Sequence, residues 1–259
     1  MTPWRTMKKI AVITGASSGM GCEFANRIAK EYELDELWVI ARRLERLQAL
    51  AEEISFPVVP IALDLTDEKS IEIYSKKLEE ECPDVRVLVN ASGVGRFGAF
   101  EDIDLGTHCS MIDLNSKAYV SMTYVTLPFM HEGGEIYQLD SLSSFQPIPY
   151  IGVYAATKAF VLSFSRSLNV ELKKKKIRVM AVCPGWVKTE FFDHAVKDDT
   201  IVYYNRFYTA EQVITRALRD MKKKKDVSVC GFATRMLVLL TKILPHRMVM
   251  KIWCKQQKK

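Results

Sequence analysis

Seven short runs of almost unbroken apolar residues recur along the chain: "KKIAVIT", "ELWVIA", "PVVPIALD", "VRVLVNA", "GGEIYQLDS", "IRVMAVCPG" and "DVSVCG". A strand with one wet face alternates apolar and polar residues, whereas unbroken runs fit parallel strands covered on both faces. Between the runs, apolar residues return every three or four positions, the spacing of a helix with one buried stripe. These helical segments are "GCEFANRIAKEY", "LERLQALAEEI", "DEKSIEIYSKKLEEE", one long helix over 104–130 with Pro128 near its end, a helix over 153–174, and "TAEQVITRALRDMKK". Thr209 opens the last of them, and Gln212 three residues later completes a capping box. Regular alternation of strand and helix requires right-handed crossovers, so the pattern predicts a doubly wound α/β sheet with helices on both faces. No linker, internal repeat or low-complexity stretch divides the chain, which predicts a single domain.

Composition changes this picture little. At 259 residues, 48% hydrophobic and 26% charged, the chain has the makeup of a globular protein with one large core. No window approaches 18 consecutive apolar residues, which argues against a membrane-spanning helix. The start, "MTPWRTMKK", lacks the apolar stretch of a secretory signal. Cys22, Cys82, Cys109, Cys183, Cys230 and Cys254 are scattered and form no CxxC pair, so no metal site and no disulfide framework are indicated. A reducing cytoplasm is the expected setting.

Charge does change it. Of 37 basic residues, seven fall in 232–259 with no Asp or Glu among them, while 30 basic residues meet 31 acidic ones in the rest. The basic excess therefore belongs to the tail, where Pro245 separates two short helices. In the second, Val249 and Trp253 share one face and Arg247, Lys251 and Lys255 another. Such a helix caps a core, makes a subunit contact, or lies on an anionic membrane surface as a peripheral contact. No aromatic platform or binding motif accompanies the charge, so nucleic acid is not an expected partner.

In a doubly wound sheet, ligands bind beyond the carboxyl ends of the strands. That rule points to residues 14–21, 41–43, 64, 90–93, 141 and 184–189. The first of these, "TGASSGMG", joins a strand to a helix. Gly15 takes a positive φ cheaply, Gly19 and Gly21 admit close approach, and Ser17 and Ser18 offer hydroxyls. The helix start presents free N–H groups and a positive dipole end to a pyrophosphate. Where an NAD site places Asp or Glu, the second strand ends "WVIARR". Arg42 and Arg43 instead suit a 2′-phosphate, with Arg42 the better placed, so NADP(H) is preferred and NAD(H) remains possible.

Tyr154 and Lys158 lie one helical turn apart on one face. A phenol titrates near pH 10 and needs its anion stabilised to move a proton at neutral pH, which an adjacent ammonium does. Ser141, at the end of a strand, reaches the same point and can hydrogen-bond a substrate oxygen. Asp140 beside it should, by strand alternation, point away; facing inward, it would raise the phenol's pKa.

From "TGASSGMG" through "NASG" (90–93), Asn115, Ser141, "YAATK" and "PGWVKT" (184–189), the chain resembles a classical short-chain dehydrogenase/reductase over nearly its whole length. The common "NNAG" of that family reads "NASG" here, and its paired serines read "DS"; neither departure removes a catalytic atom. The resemblance implies a Rossmann-type sheet of about seven strands and NAD(P)-dependent carbonyl/alcohol chemistry. It implies Tyr154 as general acid/base, Lys158 lowering its pKa and binding the nicotinamide ribose, Ser141 orienting the substrate oxygen, and Asn115 holding a water that links Lys158 to solvent. Along the cofactor it implies Gly15, Ser17, Ser18, Gly19, Met20, Gly21, Arg42, Arg43, Asp64 beside the adenine, Leu65, Asn90, Ala91, Ser92, Gly93, Pro184, Gly185, Val187, and Thr189 at the carboxamide. The halves divide as 7–140 for the dinucleotide and 141–231 for catalysis, with a lid near 190–208 and the extension 232–259. The resemblance also implies a homodimer or homotetramer built on two long helices. Phe191, Phe192, Tyr203, Tyr204 and Phe207 in the lid, facing Phe145, Pro147, Ile148 and Pro149, suit an apolar small-molecule ketone or secondary alcohol, steroid-like or lipid. Three other functions remain open: a 3-ketoacyl thioester reductase, a non-catalytic dinucleotide sensor, and a tethered scaffold whose tail is its purpose.

Overall fold

The computed structural model describes residues 7–196 and 200–259. In chain order the elements are β1 (Lys9–Thr14), α1 (Gly19–Glu31), β2 (Glu36–Ala41), α2 (Leu44–Glu53), β3 (Val58–Ala62), α3 (Glu68–Glu81) and β4 (Asp84–Asn90). Then follow α4 (Leu105–Ile112), α5 (Ala118–Thr126), β5 (Glu135–Leu139), α6 (Gly152–Glu171), β6 (Arg178–Val182), β7 (Trp186–Val187), α7 (Phe191–Ala195), β8 (Phe207–Tyr208), α8 (Ala210–Lys222), β9 (Val227–Ser228), α9 (Phe232–Ile243) and α10 (His246–Gln256). Seven strands form one sheet in the order β3-β2-β1-β4-β5-β6-β9, every pairing parallel. This is the Rossmann-type architecture expected of the sequence.

The pleat explains the unbroken apolar runs. Along β1, Ala11 and Ile13 face α1 and α8, packing with Phe24, Ile28, Val213 and Ile214. Ile10 and Val12 face the other way, toward Tyr74, Met122 and Leu168 from α3, α5 and α6. Each such side chain removed from water stabilises the fold by about 1.5–3 kcal/mol. The strand order reverses between β1 and β4, and there the strand ends open a crevice.

Three elements depart from the expectation. The helix over 104–130 is α4 and α5 joined by a π-turn, Asp113–Lys117, and it closes in a 3₁₀ turn, Leu127–Phe129, at Pro128. One extra residue widens the turn and leaves Asn115 fully buried. The run "DVSVCG" pairs only at Val227 and Ser228 before Gly231 turns the chain with φ 86°. A separate parallel pair, β7 with β8, ties the lid region to residues 186–187. Residues 197–199 of the expected lid lie outside the described residues, as do residues 1–6 of "MTPWRTMKK".

Candidate active site

A cleft of about 630 Å³ opens at the switch point, lined from the β1–α1 turn through the ends of β2, β4, β5 and β6 to α9 and α10. At its dinucleotide end, Gly15 holds φ 66°, and a Cβ there would meet the Ala91 carbonyl and Ser92 nitrogen at 2.7 Å. Thr14 fixes that approach: its hydroxyl accepts hydrogen bonds from the backbone N–H of Ala91 at 3.0 Å and Ser92 at 3.2 Å. Ser18, the N-cap of α1, makes no side-chain capping bond, so the helix start keeps its N–H groups for an anion. These features fit a pyrophosphate group.

Arg42 and Arg43 both line the cleft. Arg43 donates to the Ser17 hydroxyl at 3.1 Å, whereas Arg42 leans outward toward Asp64 at 3.9 Å. Arg43 is thus held at the turn by Ser17 and Arg42 stands beside Asp64, both at the cleft. Arg46, which the sequence did not single out, binds Glu190 at 2.7 Å, and Arg43 approaches the same carboxylate at 3.6 Å. Asp64 turns back on Thr66, accepting from its N–H at 3.0 Å and its hydroxyl at 2.8 Å.

Gly19, Met20, Gly21, Leu65, Ala91, Ser92, Gly93, Pro184, Gly185, Val187 and Thr189 also line the cleft. Asn90 does not. Its side chain points into the core and donates to Thr123 at 3.1 Å and Gln138 at 2.9 Å. The outward-facing position at this strand end falls to the residues after it, so Asn90 shapes the site without reaching the cleft.

Tyr154, Lys158 and Ser141 meet at the catalytic end. The Ser141 hydroxyl accepts from the Ser143 N–H at 3.2 Å and stands close enough to the Tyr154 phenol to lower its pKa. Lys158 donates to the Leu139 carbonyl at 2.7 Å, and its ammonium lies 5.9 Å from the centroid of the Tyr154 ring. Asn115 lies beneath: it accepts from Val94 N–H at 2.9 Å and donates to the Val94 carbonyl at 2.8 Å and to Thr157 at 3.2 Å. A Cβ on Gly93 would stand 3.2 Å from Asn115 Oδ1 and 3.8 Å from Lys158 Nζ, so a side chain there would crowd the Asn115 amide.

Burial dominates the titration of this cluster. It pushes the Tyr154 phenol above its ordinary value, opposed by the Ser141 hydroxyl and reinforced by the Asp140 charge. The lowering expected from Lys158 is not among these influences; Phe97 and Phe191 shut the phenol in, each with ring centroids 5.6 Å from it. Burial also pushes the Lys158 ammonium down, while the Asp140 and Cys183 charges push it up. Asp140 takes a hydrogen bond from the Cys183 thiol at 3.3 Å and stays within electrostatic reach of Tyr154 and Lys158.

Aromatic side chains roof the site. Trp186 packs on Phe192 at 5.6 Å and on Tyr204 at 5.0 Å, and Phe192 meets Phe207 at 5.6 Å. Phe191, Phe192 and Tyr203 face the cleft opposite Phe145 and Ile148, while Tyr204 and Phe207 brace them from behind. The tail completes the wall. Leu237, Thr241, Val249, Ile252 and Trp253 line the cleft, and Trp253 donates to the Pro149 carbonyl at 3.0 Å. The Gln257 side-chain carbonyl accepts from the N–H groups of Val202 at 2.8 Å and Tyr203 at 3.0 Å. Only Val249 and Trp253, on one face of the second tail helix, gave warning of this role in the sequence.

A crevice at a topological switch point, uncapped at the first helix, with a phenol, an ammonium and a hydroxyl at its far end, defines a dinucleotide-dependent oxidoreductase. The family model described as short chain dehydrogenase matches residues 9–200, and the chain belongs to that family. It is 38% identical over 194 residues to sulfoacetaldehyde reductase 2 of Chromohalobacter salexigens, covering 71% of this chain and 75% of that protein. Among solved structures it is similar to a short-chain dehydrogenase from Sphingobium yanoikuyae in complex with NADPH, with TM-score 0.77, 28% identity, and 91% and 93% of the two chains covered. It is also similar to the bulky-bulky ketone specific alcohol dehydrogenase from Comamonas testosteroni, with TM-score 0.73, 28% identity, and 90% and 91% covered. The protein is an NAD(P)-dependent oxidoreductase of the short-chain dehydrogenase/reductase type.

Proposed function

We propose that the protein interconverts a ketone and a secondary alcohol on an apolar substrate, using NADP(H) in preference to NAD(H). The bound dinucleotide supplies or accepts the hydride. Ser141 hydrogen-bonds the substrate oxygen and holds it beside the Tyr154 hydroxyl. Tyr154 gives its proton to that oxygen in reduction and takes it back in oxidation. A phenol kept protonated by burial suits the reductive direction at neutral pH. Lys158 binds the nicotinamide ribose and stabilises the phenolate. Asn115 fixes the loop at Val94 and supports the water path to Lys158. The apolar walls exclude bulk water from the transfer and favour a bulky ketone. Arg43, Arg42 and the absence of an acid at the end of β2 support NADP(H).

The observation that carries this reading is the hydroxyl pair of Ser141 and Tyr154 at the closed, apolar end of a dinucleotide cleft. A Tyr154→Phe variant should lose NADPH oxidation with bulky ketones by at least about 1,000-fold, since it loses the proton donor outright. Its NADPH affinity, measured by fluorescence titration, should stay within a few-fold of wild type. Undiminished turnover would remove the phenol from the mechanism.

Two surfaces complete the proposal. Leu105, Ile112 and Tyr124 on α4 and α5, with Phe160 and Val170 on α6, leave apolar area exposed where a second copy docks in a homodimer or homotetramer. On α9, Phe232, Met236, Leu239, Leu240 and Ile243 stand exposed on one helical face. Arg235 and Lys242 flank that face, and Arg247, Lys251 and Lys255 extend the charge along α10. Two copies of so basic a surface would repel each other, so an anionic lipid surface is the partner that fits. No helix among the described residues is long and apolar enough to cross a membrane.

A further inference from the structure

Asp140 occupies the position between the last residue of β5 and Ser141, and nothing in the proposed chemistry uses it. It is 2% exposed. Its Oδ2 accepts a hydrogen bond from the Cys183 thiol at 3.3 Å, while its Oδ1 has no hydrogen-bond partner. Cys183 faces it from the end of β6, Ser144 and the Ser141 N–H from the turn after β5, Lys158 and Tyr154 from α6, and Tyr119 from α5. Among these groups Lys158 is the only cation. A carboxylate so buried is costly unless an opposite charge lies close.

Lys158 has the complementary problem. It is 4% exposed, and its direct partner is a neutral carbonyl, that of Leu139. Tyr119 donates to the same carbonyl at 2.9 Å, so that oxygen is shared. An ammonium held this way tends to lose its proton, and then can neither grip a ribose nor stabilise a phenolate.

We infer that Asp140, with the Cys183 thiol behind it, is a positioning residue that keeps Lys158 charged and thereby sets the alkaline limit of catalysis. This rests on the reading of Tyr154 and Lys158 as the proton-transfer pair. The direction of the effect follows from charge. Burial raises the Asp140 carboxyl, and Lys158 opposes that rise; in return Asp140 raises Lys158. Removing the Asp140 charge lets Lys158 deprotonate at lower pH. It also lowers the Tyr154 phenol, which Asp140 pushes up. Both changes move the alkaline limb of ketone reduction the same way, downward. Cys183 supports the carboxylate by hydrogen bonding, so its loss acts in the same direction and more weakly.

The test is kcat/KM for NADPH-dependent ketone reduction between pH 5.5 and 9.5, with NADPH affinity measured at each pH, on full-length wild type, Asp140→Asn, Cys183→Ala and Cys183→Ser. Asp140→Asn should stay within about three-fold of wild type at pH 6 and fall about ten-fold at pH 8.5, the loss that corresponds to a one-unit displacement of the limb. Its NADPH affinity should weaken over the same alkaline range. Cys183→Ser should resemble wild type, and Cys183→Ala should shift part of the way. A loss by one constant factor at every pH, or an unmoved limb, overturns the inference and leaves Asp140 as packing. If Asp140→Asn does not fold, the two Cys183 variants decide, and identical profiles overturn it. Full turnover in Tyr154→Phe would instead defeat the proton-transfer reading, while the NADPH affinity of Asp140→Asn would still report on Lys158 alone.

Discussion

The cofactor end of the cleft turns on one guanidinium. Arg43 sits against Ser17 while its charge also meets Glu190 at 3.6 Å. A carboxylate there is the nearest thing the protein has to a 2′-phosphate, and the phosphate would replace it as the stronger acceptor. Arg43→Ala should therefore raise the Kd for NADPH by about 10- to 100-fold, or about 1.5–3 kcal/mol, and change that for NADH by less than about three-fold. Equal losses for both dinucleotides in a titration would count against 2′-phosphate recognition. The sequence made a basic end of β2 legible, because "ARR" stands where an acid would bind a ribose hydroxyl. It did not show the contact of Arg43 with Ser17, 26 residues away. Glu190 was hidden for the same reason, 144 residues from the arginine it binds.

Among elements, the strands and most helices were readable because each buries a stripe that the sequence spells out. The capping box of α8 formed as expected: Thr209 accepts from Gln212 N–H at 3.2 Å and Gln212 returns the bond at 3.2 Å. The π-turn between α4 and α5 was not readable, because apolar periodicity continues through it and only the bonds of Asn115 to Val94 reveal its purpose. The short β9 was half readable, and its anchor was not. Asp220 on α8 accepts from Arg216 at 2.7 Å and from Ser228 on β9 at 3.0 Å, and pairs with Lys225 at 3.0 Å. Burial raises the Asp220 carboxyl, but these three partners together hold it below the usual carboxylate range. Its stabilisation is thus complete above that range and disappears as pH falls through the depressed value. Asp220→Asn should cost about 3 kcal/mol at pH 7 and less at acid pH, measured by urea unfolding at both. An equal cost at both pH values would assign the loss to packing.

Across the whole molecule, the tail joins two regions that the sequence left separate. Its inner face walls the cleft through Val249 and Trp253, and its outer face carries the apolar stripe of α9. A molecule seated on lipid by that stripe would have the mouth of its cleft beside the surface that dissolves its substrate. Phe232, Leu239 and Ile243 do not line the cleft, so replacing all three with Ser should leave reduction of a water-soluble ketone within about two-fold. It should also abolish co-sedimentation with vesicles containing 30% anionic lipid, which the unaltered protein should show and which about 0.5 M salt should weaken. Wild-type protein that stays in the supernatant would return the stripe to subunit contact, a result that light scattering would register as a larger assembly.

The extra residue at the π-turn is absorbed within the turn itself, so α5 presents the face it would present after an unbroken helix. Removing one residue from 113–117 would close the wide turn to ordinary α-helix and leave α5 in register, with Met122, Thr123 and Thr126 still buried. What such a deletion takes away is the placement of Asn115 and its two bonds to Val94, so the segment should tolerate the loss for folding and not for catalysis.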